Sequence, residues 1–186
     1  MTKTTLIDER TRPLAPKIEG LTPFQELHGK TLAHIHAMHL RELDELNKLV
    51  SMIEAGERSA PDLAEAISVL PMVRAYKGFG TLCGRECRQL SFHHGAEEHG
   101  LFPALREHAG DGLLKVLDRL AEEHVVIHAQ IEALAEKAEI VANEATSERF
   151  AEAREALRTL DALVRSHFGY EEVQLADAIG FYEVPI

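Results

Sequence analysis

The sequence predicts an all-α protein, built as an antiparallel up-down four-helix bundle. Four stretches repeat apolar residues at spacings of three and four, the period of a helix with one buried face. No useful length of the alternating pattern typical of β-strands occurs in the chain. Because the connections between the stretches are short, neighbouring helices are expected to run in opposite directions.

The first helix is predicted to begin at Thr22. The Thr22 side chain can cap the helix, Pro23 suits the first helical position, and Gln25 completes a capping box. Residues 1–21 before it contain two prolines and show no periodicity, which indicates an N-terminal arm. The buried stripe of the first helix consists of Leu32, His36, His39, Leu43, Leu46, Val50 and Ile53.

The second helical region, at about 62–108, is less regular than the first. Pro71 and the glycines that follow it are expected to bend or interrupt the helix. Beyond them one face is formed by Cys83, Cys87, Leu90, His93, Glu97, Leu101 and Ala104. The two cysteines are interpreted as small buried hydrophobes, with redox-active thiols as the alternative.

The third and fourth helices have the clearest periodicity. The third, at about 113–142, buries Leu113, Leu117, Leu120, His124, His128, Ile131, Leu134, Ala138 and Val141. The fourth buries Phe150, Ala153, Leu157, Leu160, Val164, His167, Glu171, Gln174 and Ala178. The predicted bundle therefore occupies residues 22–180, and residues 181–186 form a short C-terminal tail packed on its end.

The composition limits the classes of partner. A formal net charge of −11 argues against nucleic acid or an anionic membrane surface as a partner. No apolar run approaches the roughly 20 residues of a membrane span. The N-terminal residues are too polar for a secretory signal, and two cysteines fit a reducing compartment. A cytoplasmic location is therefore expected.

The buried faces carry an unusual number of metal-ligand side chains. Burying so many titratable groups is costly unless an ion or a charge partner satisfies them. Imidazole and carboxylate together favour non-haem iron, and a carboxylate has two oxygens with which to bridge two cations. The candidate ligands are five histidines and two glutamates: His36, His93, Glu97, His124, His128, His167 and Glu171.

Two other kinds of metal site do not match the spacing of these residues. No histidine has Glu three residues before it, so the Glu-x-x-His pairs of ferritin-like carboxylate proteins are absent from the sequence. The His-Glu-x-x-His motif of zinc metalloproteases is also absent. The site is rich in histidine, and its carboxylates follow the histidines.

These motifs resemble those of the hemerythrin-like (HHE cation-binding) domain family over about residues 24–178. Residues 91–105 (SFHHGAEEHGLFPAL) are similar to the family's His-x-x-x-Glu-Glu followed by Leu-Phe-Pro. Residues 120–128 (LAEEHVVIH) resemble its third-helix pair, and residues 167–172 (HFGYEE) resemble its last motif. Residues 36–43 (HAMHLREL) resemble the first-helix histidine and the Arg-Glu-Leu that follows it.

Three ligand assignments have alternatives. His93 with Glu97 is preferred to the shifted pair His94 with Glu98, because apolar residues one turn away on either side share the face of the first pair.

Some family members place the last carboxylate five residues after the histidine, which here is Glu172. Glu171 is preferred because it lies on the apolar stripe with Val164. On the first helix, His39 and His28 can also share the inner face, and His36 is chosen through the resemblance alone.

The resemblance implies a centre of two iron ions, bridged by Glu97, Glu171 and a water-derived oxygen. Seven protein ligands leave one iron a position short, so a small ligand such as oxygen, peroxide or nitric oxide can bind there. The implied function is oxygen carriage, storage or sensing, or iron sensing. The alternative is a di-iron enzyme that consumes hydrogen peroxide or nitric oxide. A sealed site without a proton donor favours binding, whereas a reachable site with a donor such as Tyr170 or an unused histidine favours turnover.

Overall fold

The computed structural model describes residues 7–69 and 90–186. Within these two ranges every regular element is helical, which confirms the predicted all-α class. A 3₁₀ turn at Glu9–Thr11 comes first, and a π-helical turn at Glu97–Leu101 joins the fourth and fifth α-helices. The α-helices are α1 (Pro23–Gly29), α2 (Thr31–Glu54), α3 (Ala60–Val69), α4 (Leu90–Ala96), α5 (Phe102–Arg106), α6 (Asp111–Asn143) and α7 (Ser147–Tyr182).

The chain divides into two compact units. Among the described residues, the first unit comprises those up to Ala37, His94–Val126 and Arg165–Ile186, and the second comprises the remainder. The boundaries fall inside α2, α4, α6 and α7, so each of these helices contributes residues to both units.

The first unit has its own apolar core. Aliphatic residues dominate it, and burial of their side chains is the main term that stabilises the unit. The buried members are Leu32, Leu101, Phe102, Leu105, Leu113, Val116, Leu117, Leu120, Tyr170, Leu175, Ala178, Ile179 and Val184.

Helix α1 packs with its backbone against α7. A Cβ atom on Gly29 would lie 2.2 Å from the carbonyl oxygen of Ala176, and one on Gly180 would lie 2.3 Å from that of Gln25. Only glycine permits this approach at either position. The predicted capping box at Thr22 and Gln25 is confirmed at the start of α1.

The first predicted helix is divided in two. The chain turns at Lys30, whose N–H donates to the carbonyl oxygen of Leu27 at 3.2 Å, and α2 starts at the next residue. The apolar spacing continues across this turn, so periodicity alone predicts one helix.

The C-terminal residues fold back on the first unit. Helix α7 extends to Tyr182, beyond the predicted limit, and Glu183 adopts a φ of 51° that reverses the chain. The N–H of Val184 donates to the carbonyl oxygen of Ile179 at 3.2 Å, and Nε2 of His28 donates to the carbonyl oxygen of Val184 at 2.8 Å. Val184 itself is buried.

The N-terminal arm, residues 8–18, lies along α6 and α7 of the first unit. The N–H of Ala15 donates to Oε1 of Gln174 at 2.7 Å, and that of Ile18 donates to Oδ2 of Asp177 at 3.3 Å. These bonds satisfy backbone donors of a segment that has no regular secondary structure at these positions.

The second unit joins α2, α3, α6 and α7. Ala64, Val141 and Ala153 pack together between three of these helices. Arg154 forms an ion pair with Glu54, and Lys137 forms one with Glu152 at 3.0 Å.

Two further sequence predictions concern the second helical region and membrane spans. Of region 62–108, the structure describes α3 and the residues from 90 onward; Cys83 and Cys87 lie outside the described residues. In the described ranges, every helix is too short or too polar to cross a lipid bilayer.

Candidate metal centre

Six buried ligand-type side chains converge in the first unit. They come from α2, α4, the π turn, α6 and α7, and each is at most 2% exposed. They form two groups, in each of which the ligand atoms lie within 4.8 Å of one another. Among residues of the first unit, one group includes His94, His124 and His167, and the other includes His36, Glu97 and Glu171.

The two carboxylates connect the groups. Oε2 of Glu97 lies 3.5 Å from Nε2 of His124, and its Oε1 lies 4.0 Å from Nε2 of His36. Oε2 of Glu171 lies 3.5 Å from Nε2 of His36 and 3.7 Å from Nε2 of His167. Each carboxylate therefore faces a histidine of both groups, as a carboxylate that bridges two cations must.

Three histidines are held from outside by a second set of carboxylates. Nδ1 of His36 lies 2.8 Å from Oε1 of Glu172. Nδ1 of His124 lies 2.8 Å from Oε1 of Glu98, and Nδ1 of His167 lies 3.1 Å from Oε2 of Glu123.

An ionised carboxylate only accepts hydrogen bonds, so Nδ1 of each of these histidines is the donor. The inward Nε2 then keeps its lone pair, which is the form of imidazole that binds a metal. The sequence motifs alone did not identify these outer partners.

The lowered pKa of Glu123 keeps its carboxylate ionised at neutral pH, as an acceptor of the hydrogen bond from His167 must be. Burial alone raises the pKa of Glu123, but the hydrogen bonds from His167 and Arg12 outweigh burial and lower the pKa to about 2. Burial lowers the pKa of His167, against the opposing effect of its hydrogen bond to Glu123. At neutral pH the pair is therefore a carboxylate and a neutral imidazole.

The pKa of the inner carboxylate Glu97 is shifted upward, opposite to that of Glu123. Burial raises its pKa well above the ordinary value, and the nearby Glu98 carboxylate adds to this effect. An ionised Glu97 is costly at this position unless positive charge is close by. A bound cation would supply that charge.

The π turn explains how neighbouring residues reach different groups. The N–H of Phe102 donates to the carbonyl oxygen of Glu97, five residues earlier, so the helix is widened there. His94 lies in the last α-helical residues before this turn, and Glu97 is the first residue of the turn. His94 joins one group and Glu97 the other, an arrangement that a regular 3.6-residue stripe does not predict.

Aromatic rings enclose the histidines. Phe168 stacks on His36, with ring centroids 3.8 Å apart, and Phe102 lies 5.7 Å from His124. His94 and His124 stack on each other, with centroids 3.8 Å apart. These ring contacts accompany the full burial of His36, His94 and His124.

Five of the seven residues predicted as ligands are thus brought together in the first unit: His36, Glu97, His124, His167 and Glu171. The other two, His93 and His128, belong to the second unit. His93 is buried one helical turn before Glu97 in the chain, and its ring centroid lies 5.2 Å from that of His39. His128 is half-buried.

His94 is a fully buried histidine that was not among the predicted ligands. The motif offered it only together with Glu98, as an alternative to His93 with Glu97. The structure separates the two members of that pair: His94 is fully buried in a ligand group, whereas Glu98 is partly exposed and holds His124 from outside.

The donor set fits a metal with nitrogen and oxygen ligands. The members that the first unit supplies to the two groups are four imidazoles and two carboxylates, a nitrogen and oxygen donor set that suits non-haem iron and related divalent ions. The buried Nε2 of His167 receives no hydrogen bond from any described residue, so it is available as a ligand.

An all-α chain with two groups of buried histidines, connected by carboxylates, defines a helical cation-binding protein. The chain belongs to the hemerythrin HHE cation-binding domain family, whose sequence model matches residues 29–179. This confirms the resemblance inferred from the motifs. No curated protein and no solved structure matches the chain.

Proposed function

We propose that this protein binds two iron ions and uses them to hold a small ligand such as oxygen. Carriage, storage or sensing of that ligand, or sensing of iron, would be its role. The antiparallel four-helix bundle predicted from the sequence is part of this proposal.

The observation that carries the proposal is the position of Glu97 and Glu171. Each carboxylate faces one histidine of each ligand group at 3.5–4.0 Å. Glu97 and Glu171 would hold two ions together with the imidazoles of the two groups, four of which belong to the first unit. Iron supplies reversible redox chemistry and an exchangeable coordination position when it is bound.

The side chains around the centre favour binding over turnover. The Tyr170 hydroxyl donates to the carbonyl oxygen of Pro13 at 2.7 Å and is thereby directed to the arm. Burial raises the pKa of Tyr170 to about 12, with a contribution from Glu123, so the hydroxyl keeps its proton. This candidate proton donor is therefore engaged elsewhere, and the rings of Phe102 and Phe168 cover two of the buried histidines, as a sealed site requires.

Metal analysis with an absorption spectrum tests this function. The protein as isolated, and after reconstitution with ferrous iron, should contain about two iron ions per chain. Exposure to air should produce the near-ultraviolet charge-transfer band of a bridged ferric pair. One zinc ion per chain, or no stoichiometric metal, would refute the proposal.

A peroxide-consumption assay on the same sample then separates the two functional classes. A binding protein should consume peroxide no faster than its Glu97→Ala variant, which lacks a bridging carboxylate. Sustained turnover that depends on Glu97 would assign the protein to the enzymes instead.

A further inference from the structure

Arg12 of the N-terminal arm reaches the metal centre through one carboxylate. Its Nε donates to Oε1 of Glu123 and its Nη2 donates to Oε2 of Glu123, both at 2.9 Å. The side chains are 9% and 1% exposed, so this two-bond contact is shielded from solvent. A planar guanidinium fixes both the position and the plane of a carboxylate that it binds in this way.

The same carboxylate is the outer partner of a candidate ligand. Oε2 of Glu123, which accepts from Arg12, also accepts from Nδ1 of His167 at 3.1 Å. Oε1 accepts a second bond from Nε of Arg119 at 3.0 Å. The orientation of the His167 ring is thus set by a carboxylate whose own plane is set by arginine.

Arg12 is itself held in place by the elements around it. Its Nη1 donates to Oγ of Ser166 at 3.0 Å, and its guanidinium lies 4.6 Å from the centre of the Tyr170 ring. The Tyr170 hydroxyl binds the next arm residue, Pro13. These contacts hold the Arg12 side chain in one defined position.

We propose that Arg12 is a positioning residue of the metal centre, which holds Glu123 so that His167 keeps its Nδ1 proton outward and its Nε2 toward the metal. This inference rests on the proposed function, because the centre must bind metal for the positioning to matter. Outer partners of histidine ligands typically contribute 10- to 100-fold to metal affinity, roughly the effect expected for Arg12.

The first test uses the metal-free protein and reads the ring directly. Nitrogen-15 NMR of the imidazoles distinguishes Nδ1–H from Nε2–H tautomers. The wild type and Arg10→Ala should show His167 in the Nδ1–H form, since the Arg10 side chain is 89% exposed and binds only Asp8 among the described residues. Arg12→Ala should show a mixture of tautomers. An unchanged tautomer in Arg12→Ala would overturn the proposal.

The second test measures ferrous iron affinity by competition with a chelator, without oxygen. Arg12→Ala should bind roughly 10- to 100-fold more weakly than wild type, and Arg10→Ala should bind equally well. Arg12→Lys keeps the charge but cannot form two parallel bonds, so the iron affinity of this variant should lie between those of Arg12→Ala and wild type. If Arg12→Ala binds iron as tightly as wild type, Arg12 does not position the centre.

A double-mutant cycle separates positioning from a general contribution of the arm to stability. In a Glu123→Ala background, Arg12→Ala should change iron affinity less than about two-fold, because the acceptor that joins Arg12 to His167 is already lost. If Arg12→Ala weakens iron affinity by the same factor in that background as in wild type, the proposal is overturned. If wild type itself binds no iron, the proposed function fails, and the metal-free tautomer measurement still decides the role of Arg12.

Discussion

Nδ1 of His36 lies 2.8 Å from Oε1 of Glu172, while the adjacent Glu171 faces Nε2 of the same ring at 3.5 Å. Consecutive glutamates thus contact opposite edges of one imidazole. Glu171 is fully buried and Glu172 is partly exposed. The two residues are expected to act differently: Glu171 as a bridging ligand and Glu172 as the acceptor that orients His36.

Substitution of the two glutamates should distinguish these roles. Glu171→Gln should abolish stoichiometric iron binding, because the amide cannot supply a negatively charged bridge. Glu172→Gln should keep two iron ions but weaken affinity by about 10- to 100-fold, since only the outer partner of His36 changes. Iron content and chelator competition measure both effects. The reverse order of severity would identify Glu172 as the bridging ligand.

His94 is expected to be a metal ligand. It is fully buried and its ligand atom lies in the same group as those of His124 and His167. His94→Ala should reduce the iron content by about half or more, because one group loses a ligand. The matched control is His99→Ala: His99 is exposed and its Nδ1 contacts only the carbonyl oxygen of Gly95 among the described hydrogen bonds. Equal iron content in both variants would contradict the assignment.

Glu97 should reduce the stability of the metal-free protein at neutral pH. Its pKa is raised by burial, so the folded protein binds this proton more tightly than the unfolded chain does. The contribution of Glu97 to the free energy of unfolding therefore falls as pH rises from the ordinary glutamate value of 4.5 toward the raised one.

Glu97→Gln removes this cost and should raise the melting temperature of the metal-free protein at pH 8. A gain of roughly 0.5–2 kcal/mol is the usual size for relief of one such feature. The difference should shrink toward pH 4, where wild-type Glu97 is itself protonated. Calorimetry at both pH values measures it, and a variant less stable than wild type at pH 8 would show that the buried charge is not the cause.

Gly180→Ala should destabilise the first unit by about 1–3 kcal/mol, because its new Cβ atom would lie 2.3 Å from the backbone oxygen of Gln25. Gly169 is on the same helix, is exposed, and has no atom within 4 Å of the corresponding position. Gly169→Ala should therefore be neutral or stabilising by up to about 1 kcal/mol. Chemical denaturation of both variants measures the difference. Equal stability of the two variants would show that Gly180 does not lie this close to the backbone of Gln25.

The helices were predictable because their apolar residues repeat at the helical period over many turns. The stripes through α6 and α7 predicted both helices and the inward faces of His124, His167 and Glu171. The break at Lys30 was not predictable in this way, because the apolar spacing continues across it. The close approach of Gly29 to Ala176 was not predictable either, since the two residues are distant in sequence.

The candidate site was predictable only where a regular helix positions it. In an unbroken α-helix, the pair His93 with Glu97 and the pair His94 with Glu98 are exclusive alternatives. The π turn removes that exclusivity, and nothing in the residue types of 97–101 indicates a π turn. The outer residues were missed for another reason: Arg12 lies in an aperiodic arm, and its partner Glu123 is 111 residues away.

The long separations along the chain have a consequence for biosynthesis. Arg12 contacts Glu123 and Ser166, which follow it by 111 and 154 positions, and Ala15 contacts Gln174, which follows it by 159. The arm therefore leaves the ribosome long before its binding surface exists. Its docking has to wait until nearly all of α7 has been translated, so a nascent chain cannot acquire the complete surroundings of His167. The complete surroundings of His167 therefore form only after Gln174 has been synthesised, and an early-synthesised segment is among the last to reach its final place.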